Sequence, residues 1–461
     1  MSFITYLGGT LMGQKNDFTQ GSVPKLILNL ALPMTLAQLI NILYNIVDRM
    51  YIGRIPNESS LPLTGIGITL PIITLIMAFA NLFGMGGAPL CSIARGKGDI
   101  EDAEEIMGNS FALLIISGVL LTILGLLFKK PLLFLFGASS ATFPYANGYI
   151  TIYLFGSLFV MISLGMNSFI NSQGFGKIGM MTILLGAIAN IILDPIFIFL
   201  FHMGVKGAAL ATIISQFLSA FWVLKFLTGK DAILKLKVKN FKIKLSILKR
   251  IFFLGLSGFI MALTNSTVQI ICNITLKIYG GDLYIGIMTI INSIREIVMM
   301  PVGGLTNGCQ PVLGFNYGAK KYGRVKNGIK FISIVCIIYT SIIWVVLRAF
   351  PEFFIKIFRS DPELIQKGIP AVNIYFFGFF MMSLQIAGQA VYVALGKSKQ
   401  AIFFSLLRKI IIVVPLTIIL PKMFNLGHRG VFLAEPISNF IGGTACYVTM
   451  LLTILPRLKE D

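Results

Sequence analysis

Charge is scarce in this chain: Asp, Glu, Lys and Arg make up 12% of its 461 residues, against about a quarter in a water-soluble domain. A solvated globular surface over this length is therefore excluded. Histidine is nearly missing, with only His202 and His428. The five cysteines (Cys91, Cys272, Cys309, Cys336 and Cys446) are scattered through apolar segments without a CxxC pair. That pattern predicts neither a disulfide framework nor a zinc site, and the cysteines read as small apolar residues. No Walker-type phosphate loop occurs, so ATP does not drive the chain directly. No constellation of nucleophile, base and orienting group is visible either. The chain is not expected to be an enzyme or to need a cofactor, and energy for any work must come from an ion gradient or a partner.

Hydrocarbon is what the chain has in excess: 56% of residues are hydrophobic and the mean hydropathy is +0.86. Apolar runs of about 20 residues, the length that crosses a bilayer core of about 30 Å, recur along its length. They lie near 24–52, 62–87, 104–128, 146–170, 178–201 and 207–228, then 247–278, 284–309, 328–350, 368–394, 401–421 and 430–455. The expected fold is an all-α polytopic membrane protein of twelve transmembrane helices in two pseudo-symmetric six-helix lobes. The first run is too long for a signal-peptide core and no small-residue cleavage site follows it, so the start of the chain is expected to stay in the mature protein.

The formal charge of +20 invites a nucleic-acid reading, but the Lys and Arg residues sit in short loops with no continuous basic stripe. They fit the positive-inside rule and anionic headgroups instead; the partner is the lipid bilayer and not nucleic acid. With twelve spans and both termini in the cytoplasm, roughly 25 Lys and Arg fall inside and about 11 outside, once the in-span Arg49 and Arg295 are set aside. Between the two sets of spans, the stretch KDAILKLKVKNFKIKLSILKR alternates lysine with apolar residues. It reads as a basic cytosolic linker (230–246) on the headgroups, dividing an N-terminal lobe (1–229) from a C-terminal lobe (247–461).

The halves resemble each other. Gly86-Gly87-Ala88-Pro89 and Gly96 in the first correspond to Gly308-Cys309-Gln310-Pro311 and Gly318 in the second, at one common offset. Each motif closes the second span of its half. Duplicated six-span units suggest parallel repeats with a site between them, the design of a transporter that rocks.

In-span charge is the sharpest functional signal, because each such residue costs about 2.5–3.5 kcal/mol or more at the bilayer centre. Gln38, Asn41, Tyr44, Asn45 and Asp48 form one polar stripe on the first span. Such a stripe faces protein or water; the alternative to a functional face is a hydrogen-bonded packing seam. Asp48 tilts the choice, since a carboxylate held away from bulk water can take up a proton. In the fifth span Asn190 and Asp194 share a face, and Pro195 frees a backbone carbonyl. Two carboxylates, an amide and loose carbonyls make an oxygen cage for Na⁺ or a proton-sharing pair, or else a kink whose polar atoms are satisfied locally. Thr212, Gln216 and Ser219 line one side of the sixth span and read mainly as packing. In the second half, Asn265, Gln269 and Asn273 repeat every fourth residue, Arg295 sits beside Glu296, and Glu435, Ser438 and Asn439 lie in the last span. Glu296 and Glu435 are expected either to line a cavity and attract cationic substrates or to fix helix packing as ion pairs. Methionines such as Met261 and Met299 either give an adaptable lining or, the commoner outcome in so apolar a chain, face lipid or core.

LALPMTLAQLINILYNIVDRMYIGRI, NLFGMGGAPLCSIARGKGD, NIILDPIFIF, GVKGAALATIISQ and TNGCQPVLGFNYGAKK together resemble the multidrug and toxic compound extrusion (MATE) family, most closely its bacterial MepA-like branch. The resemblance covers nearly all of the chain. It implies a secondary antiporter in a bacterial cytoplasmic membrane, exporting amphipathic and often cationic organic compounds in exchange for H⁺ or Na⁺ by alternating access. In that family the prokaryotic cation site matches Asp48 of YNxxD, Asn190 and Asp194 of NxxxD, and Thr212. These four residues would also hold Na⁺ if Na⁺ is the coupling ion. The family's other branch uses acidic residues in the seventh and tenth helices, where this chain has Asn265, Gln269, Gln385 and Gln389. Coupling is therefore expected in the N-terminal lobe, with Gln38, Asn41, Tyr44, Asn45, Asn265, Gln269, Glu296 and Glu435 around the substrate cavity of a monomer. The rival reading is a flippase for lipid-linked precursors, which needs an anionic-headgroup clamp; the count of only two in-span cations, Arg49 and Arg295, weighs against it.

Overall fold

The computed structural model describes residues 16–55 and 61–459; the outermost residues of both expected lobes, 1–15 and 460–461, lie outside these, and so does the expectation about the start of the chain. Hydrocarbon offers the backbone no hydrogen-bond partner, so a spanning chain satisfies its amides internally as helix. The described residues are helical almost throughout and contain no strand. Among the described residues nine helices are long and apolar enough to cross a bilayer, and two bent pairs bring the number to eleven. One of the nine, Leu245–Gly318, runs for 74 residues, about 110 Å at 1.5 Å per residue, far more than one crossing. It breaks at Gly281, where φ is 71° and ψ is −171°, a conformation open essentially to glycine alone. Counting its two halves separately gives the twelve expected spans.

The bent pairs are the fourth and tenth spans, the same place in each half. Phe143–Phe155 meets Ser157–Ser172 at 56°, and Pro362–Tyr375 meets Phe379–Ala394 at 49°. The fifth, eleventh and twelfth spans each contain a π-helical stretch, at Ile196–Leu200, Leu407–Val413 and Asn439–Gly443. Such wider turns commonly mark functional positions.

The apolar core divides along the duplication with two exceptions, one being Ile247, Ile251 and Leu254 of the seventh span, which pack in the first half's cluster. Side chains from Ile52 to Leu254 form one cluster, and two further clusters hold the second half. The other is the start of the first span. Val23, Ile27, Leu30 and Ala31, with the preceding Phe18, pack among Val312, Leu313, Val325 and Leu458 of the second half.

The duplicated glycines lie where the halves touch. A Cβ on Gly86 would sit 2.9 Å from Gly255 Cα, and one on Gly308 would sit 2.6 Å from the amide nitrogen of Ala31. Gly96 lies against the carbonyl of Phe315, and Gly318 against the carbonyl of Ile93, each with no room for a side chain. The second span thus meets the seventh as the eighth meets the first, and the ends of the second and eighth meet each other. Beside this seam the Arg95 guanidinium lies between the Phe18 and Phe315 rings, 4.8 and 4.5 Å from their centroids. It donates to the carbonyls of Asn16 at 2.6 Å and Ser172 at 3.2 Å. Arg324 donates to the carbonyls of Phe18 and Gly21, both at 2.8 Å. The face that carries the first and last described residues is therefore closed.

The basic stretch after the sixth span is fixed to the third. Ala232, Leu234 and Leu236 are buried, while Lys237 pairs with Glu104 at 2.6 Å and Arg250 with Asp102 at 3.1 Å. Asn109 donates to the carbonyl of Asn240 at 3.2 Å. These contacts explain why lysine alternates with apolar residues: one side of the extended chain packs and the other meets the acidic start of the third span.

Gly318→Val places two methyl groups on a main-chain carbonyl that cannot move without its helix, an overpacking cost of about 1–3 kcal/mol. Spin labels across the closed face should report longer distances in this variant. Gly258→Ala, whose added carbon meets nothing within 4 Å, should leave them unchanged.

Candidate functional site

The first polar cluster forms because the fifth span places an amide and a carboxylate one turn apart. Asn190 Nδ2 donates to Asp194 Oδ1 at 3.3 Å and to Thr212 Oγ1 at 3.5 Å. The Thr212 hydroxyl itself donates to the Ala208 carbonyl at 3.0 Å, which leaves its lone pairs facing the cluster. Pro195 lacks an amide hydrogen, and the helix continues past it as the π-helical turn Ile196–Leu200. Asp48 of the first span completes the group, its carboxyl within hydrogen-bonding reach of the Asp194 carboxyl. Tyr44 lies one helical turn before Asp48 on the first span, and Tyr149 of the fourth span lies within reach of Thr212.

Three oxygens here are buried with no hydrogen-bond partner: Asp48 Oδ1, Asn190 Oδ1 and Asp194 Oδ2. Two touching carboxylates repel unless a proton is shared or a cation lies between them. Carboxylate, amide and hydroxyl oxygens together suit a proton or a small hard cation such as Na⁺. The four residues singled out for cation binding are thus brought together. Tyr149, from the fourth span, carries no periodic signal that would have singled it out.

The other residues of the first-span stripe spread towards the second half. Asn41 and Asn45 are exposed, while Gln38 and Tyr44 are half-buried. Asn45 donates to the Asn41 carbonyl at 2.6 Å, and Gln38 faces Gly303 of the eighth span. On the sixth span, Gln216 accepts from Ser163 at 2.6 Å and Ser219 donates to the Thr182 carbonyl at 3.0 Å. These two belong to a packing seam, as expected, and only Thr212 joins the cluster.

The second half holds a cluster of opposite charge. Glu435 is 5% exposed and accepts from Arg408 at 3.0 Å and from Lys409 at 3.1 and 3.3 Å. Arg295 lies 3.9 Å away and donates to the Tyr375 hydroxyl at 3.0 Å. Glu435 lines a small cavity with Asn265, Gln269, Asn292 and Arg295. Its charge is taken up by these cations, so it is not a free carboxylate for a cationic substrate; the ion-pair alternative describes it. Glu296 is exposed, lies outside that cavity lining and makes no ion pair among the described residues. Asn265 and Gln269 share the cavity wall as their spacing implies. Gln385 and Gln389 instead tie the tenth span to the eleventh, donating to the carbonyls of Phe404 at 3.4 Å and Ala401 at 2.8 Å.

Arg408 and Lys409 are the residues that sequence reasoning missed. Counted with loop charges, they are in fact buried in the eleventh span, within the π-helical stretch Leu407–Val413. Their position midway between AIFFSLL and IIIVVP was the available signal. The count of two in-span cations is corrected to at least four.

Twelve spans among the described residues, in two repeats with a polar cluster in each, are the architecture of a polytopic membrane transporter. The chain belongs to the MatE family, whose model matches residues 33–196 and 258–419, one segment in each half. Among curated proteins it is 26% identical over 429 residues to the multidrug export protein MepA of Staphylococcus haemolyticus (strain JCSC1435), covering 92% of this chain and 93% of that protein. It is 25% identical over 447 residues to the MepA of Staphylococcus aureus (strain MSSA476), covering 96% and 97%. A crystal structure of a MATE protein in complex with MaD3S superposes with a TM-score of 0.90 at 22% identity, covering 98% of this chain and all of that one. An outward-facing multidrug resistance MATE transporter of the MOP superfamily gives 0.89, also at 22% identity over 98% of this chain. At that identity the two structures show the shared fold.

Glu435→Gln leaves three cations around a neutral amide and should destabilise the protein by about 3–5 kcal/mol. Glu296→Gln should stay within about 0.5 kcal/mol of the parent. Thermal unfolding of the purified proteins in one detergent compares them.

Proposed function

We propose that the chain is a secondary antiporter that exports amphipathic, often cationic organic molecules in exchange for H⁺ or Na⁺. The observation that carries this reading is the set of three unpartnered buried oxygens on Asp48, Asn190 and Asp194. A bound Na⁺ satisfies all three, a proton shared by the two carboxylates satisfies two, and either removes the repulsion between them. The names of the curated relatives, multidrug export proteins, support the direction of transport and the substrate class.

In this reading the termini are cytoplasmic and the membrane is a bacterial cytoplasmic membrane. The lysine-rich stretch between the halves, and the basic loops on the same face, support that orientation. The closed face of the seam is then the cytoplasmic one, and the accessible Asn41, Asn45, Asn265 and Gln269 lie in a cleft open to the outside. Both halves of the cleft belong to one chain, in keeping with a working monomer. A cation entering from outside binds Asp48 and Asp194 and draws the first span onto the fifth. Because the start of the first span packs in the core of the second half, that movement bears on the contact between the lobes. The ion drives the switch only as far as it binds one arrangement more tightly than the other.

Ethidium efflux from energised vesicles tests the coupling site. Asp48→Asn and Asp194→Asn should each lose gradient-driven efflux while expressing and folding normally, and the gradient that sustains the parent, H⁺ or Na⁺, identifies the ion. Full efflux in both variants would place coupling elsewhere.

A further inference from the structure

We propose that the cleft of the second half is an anion site, in which Arg295, backed by Lys409 and Arg408, receives a carboxylate or phosphate group of an amphiphile. The inference stands on charge and geometry apart from the coupling ion. Three cations gather around one carboxylate, in two spans where each unpaired charge is expensive. The Glu435 oxygens accept from Arg408 and Lys409, and Arg408 also donates to Asn439 Oδ1 at 2.6 Å. Arg295 is left at the edge, 3.9 Å from Glu435, with its side chain 26% exposed and one hydrogen bond, to the Tyr375 hydroxyl. A guanidinium has five N–H donors in a fork that matches a carboxylate or phosphate, so most of its donors are uncommitted.

The wall around Arg295 supplies what an anion needs next. Asn265, Gln269 and Asn292 line the same cavity, and none of the three makes a hydrogen bond with a described residue. Each carries an amide NH₂ able to donate. No carboxylate other than Glu435 lines the cavity. Its volume of about 20 Å³ admits roughly one water, or the oxygen end of a headgroup whose apolar body lies above it. The chemistry is shared by two sources: the phosphate of an anionic lipid and the acidic group of a soluble amphiphile.

The test uses the purified full chain in a neutral maltoside detergent, titrated with dioleoylphosphatidylglycerol, with laurate and with inorganic phosphate. Binding is read by native mass spectrometry and by the thermal midpoint. At least one amphiphilic anion should bind, and Arg295→Gln should weaken it by about tenfold or more, the loss expected for a charge-assisted contact. Lys422→Gln, an exposed cation outside the cavity lining, should leave binding unchanged. Asn265→Leu with Gln269→Leu, which removes no charge, should weaken the same ligand and so guards against a folding defect in the arginine variant. Binding of the phospholipid alone assigns the site to a lipid headgroup; binding of laurate as well assigns it to acidic amphiphiles generally. The proposal is overturned if no anion binds, or if binding is the same in Arg295→Gln, since the cations would then be an internal network only.

Discussion

A charged side chain that enters hydrocarbon must bring its own partners, because no water is there to supply them. Both polar clusters of this protein follow from that constraint, and they resolve it in opposite ways. In the second half Glu435 is surrounded by Arg408, Lys409 and Arg295, and positive charge is left over. In the first half Asp48 and Asp194 face each other with Asn190 and Thr212, and oxygen lone pairs are left over. One duplicated scaffold thus presents a deficit of cations on one side of its cleft and an excess on the other. In both halves a π-helical turn adjoins the charged residues, at Ile196–Leu200 and at Leu407–Val413. A widened turn shifts the register of the helix and re-aims the side chains around it.

The glycines serve a different requirement. Lipid chains are as apolar as leucine, so helices in a membrane associate through close packing and not through the hydrophobic effect. Gly86, Gly96, Gly308 and Gly318 let main chains of the two halves approach to contact. That contact has little side-chain interdigitation to unpick, which suits a seam that must part. Arg95 between two aromatic rings and Arg324 on the carbonyls before the first span add polar closures at the same face.

Much of this was legible in the residues. Span number followed from apolar run length, and the duplication from three matching Gly and Pro positions. The carboxylate cluster was legible because its signal is local: Asn190 and Asp194 share a helix face by spacing alone, and Asp48 ends a polar stripe. What the sequence hid was pairing between distant helices. Glu435 carries the same letter whether it faces a substrate or three cations, and only the packing of the eighth, eleventh and twelfth spans decides it. Arg408 and Lys409 were hidden for a related reason: two adjacent basic residues resemble loop charges, and the π-helical turn that buries them has no signature in periodicity.

The shared core of the first span bears on biosynthesis. Phe18, Val23 and Ile27 pack with Val312, Val325 and Leu458, the last of which is translated more than 400 residues after them. At about 5–20 residues per second the start of the first helix waits roughly 20–90 seconds for the final part of its core. Throughout that interval its inner stretch, with Gln38, Asn41 and Asn45, must be held by the translocation machinery or by the fifth span. A helix made early relative to its partners is therefore among the last to be fully packed.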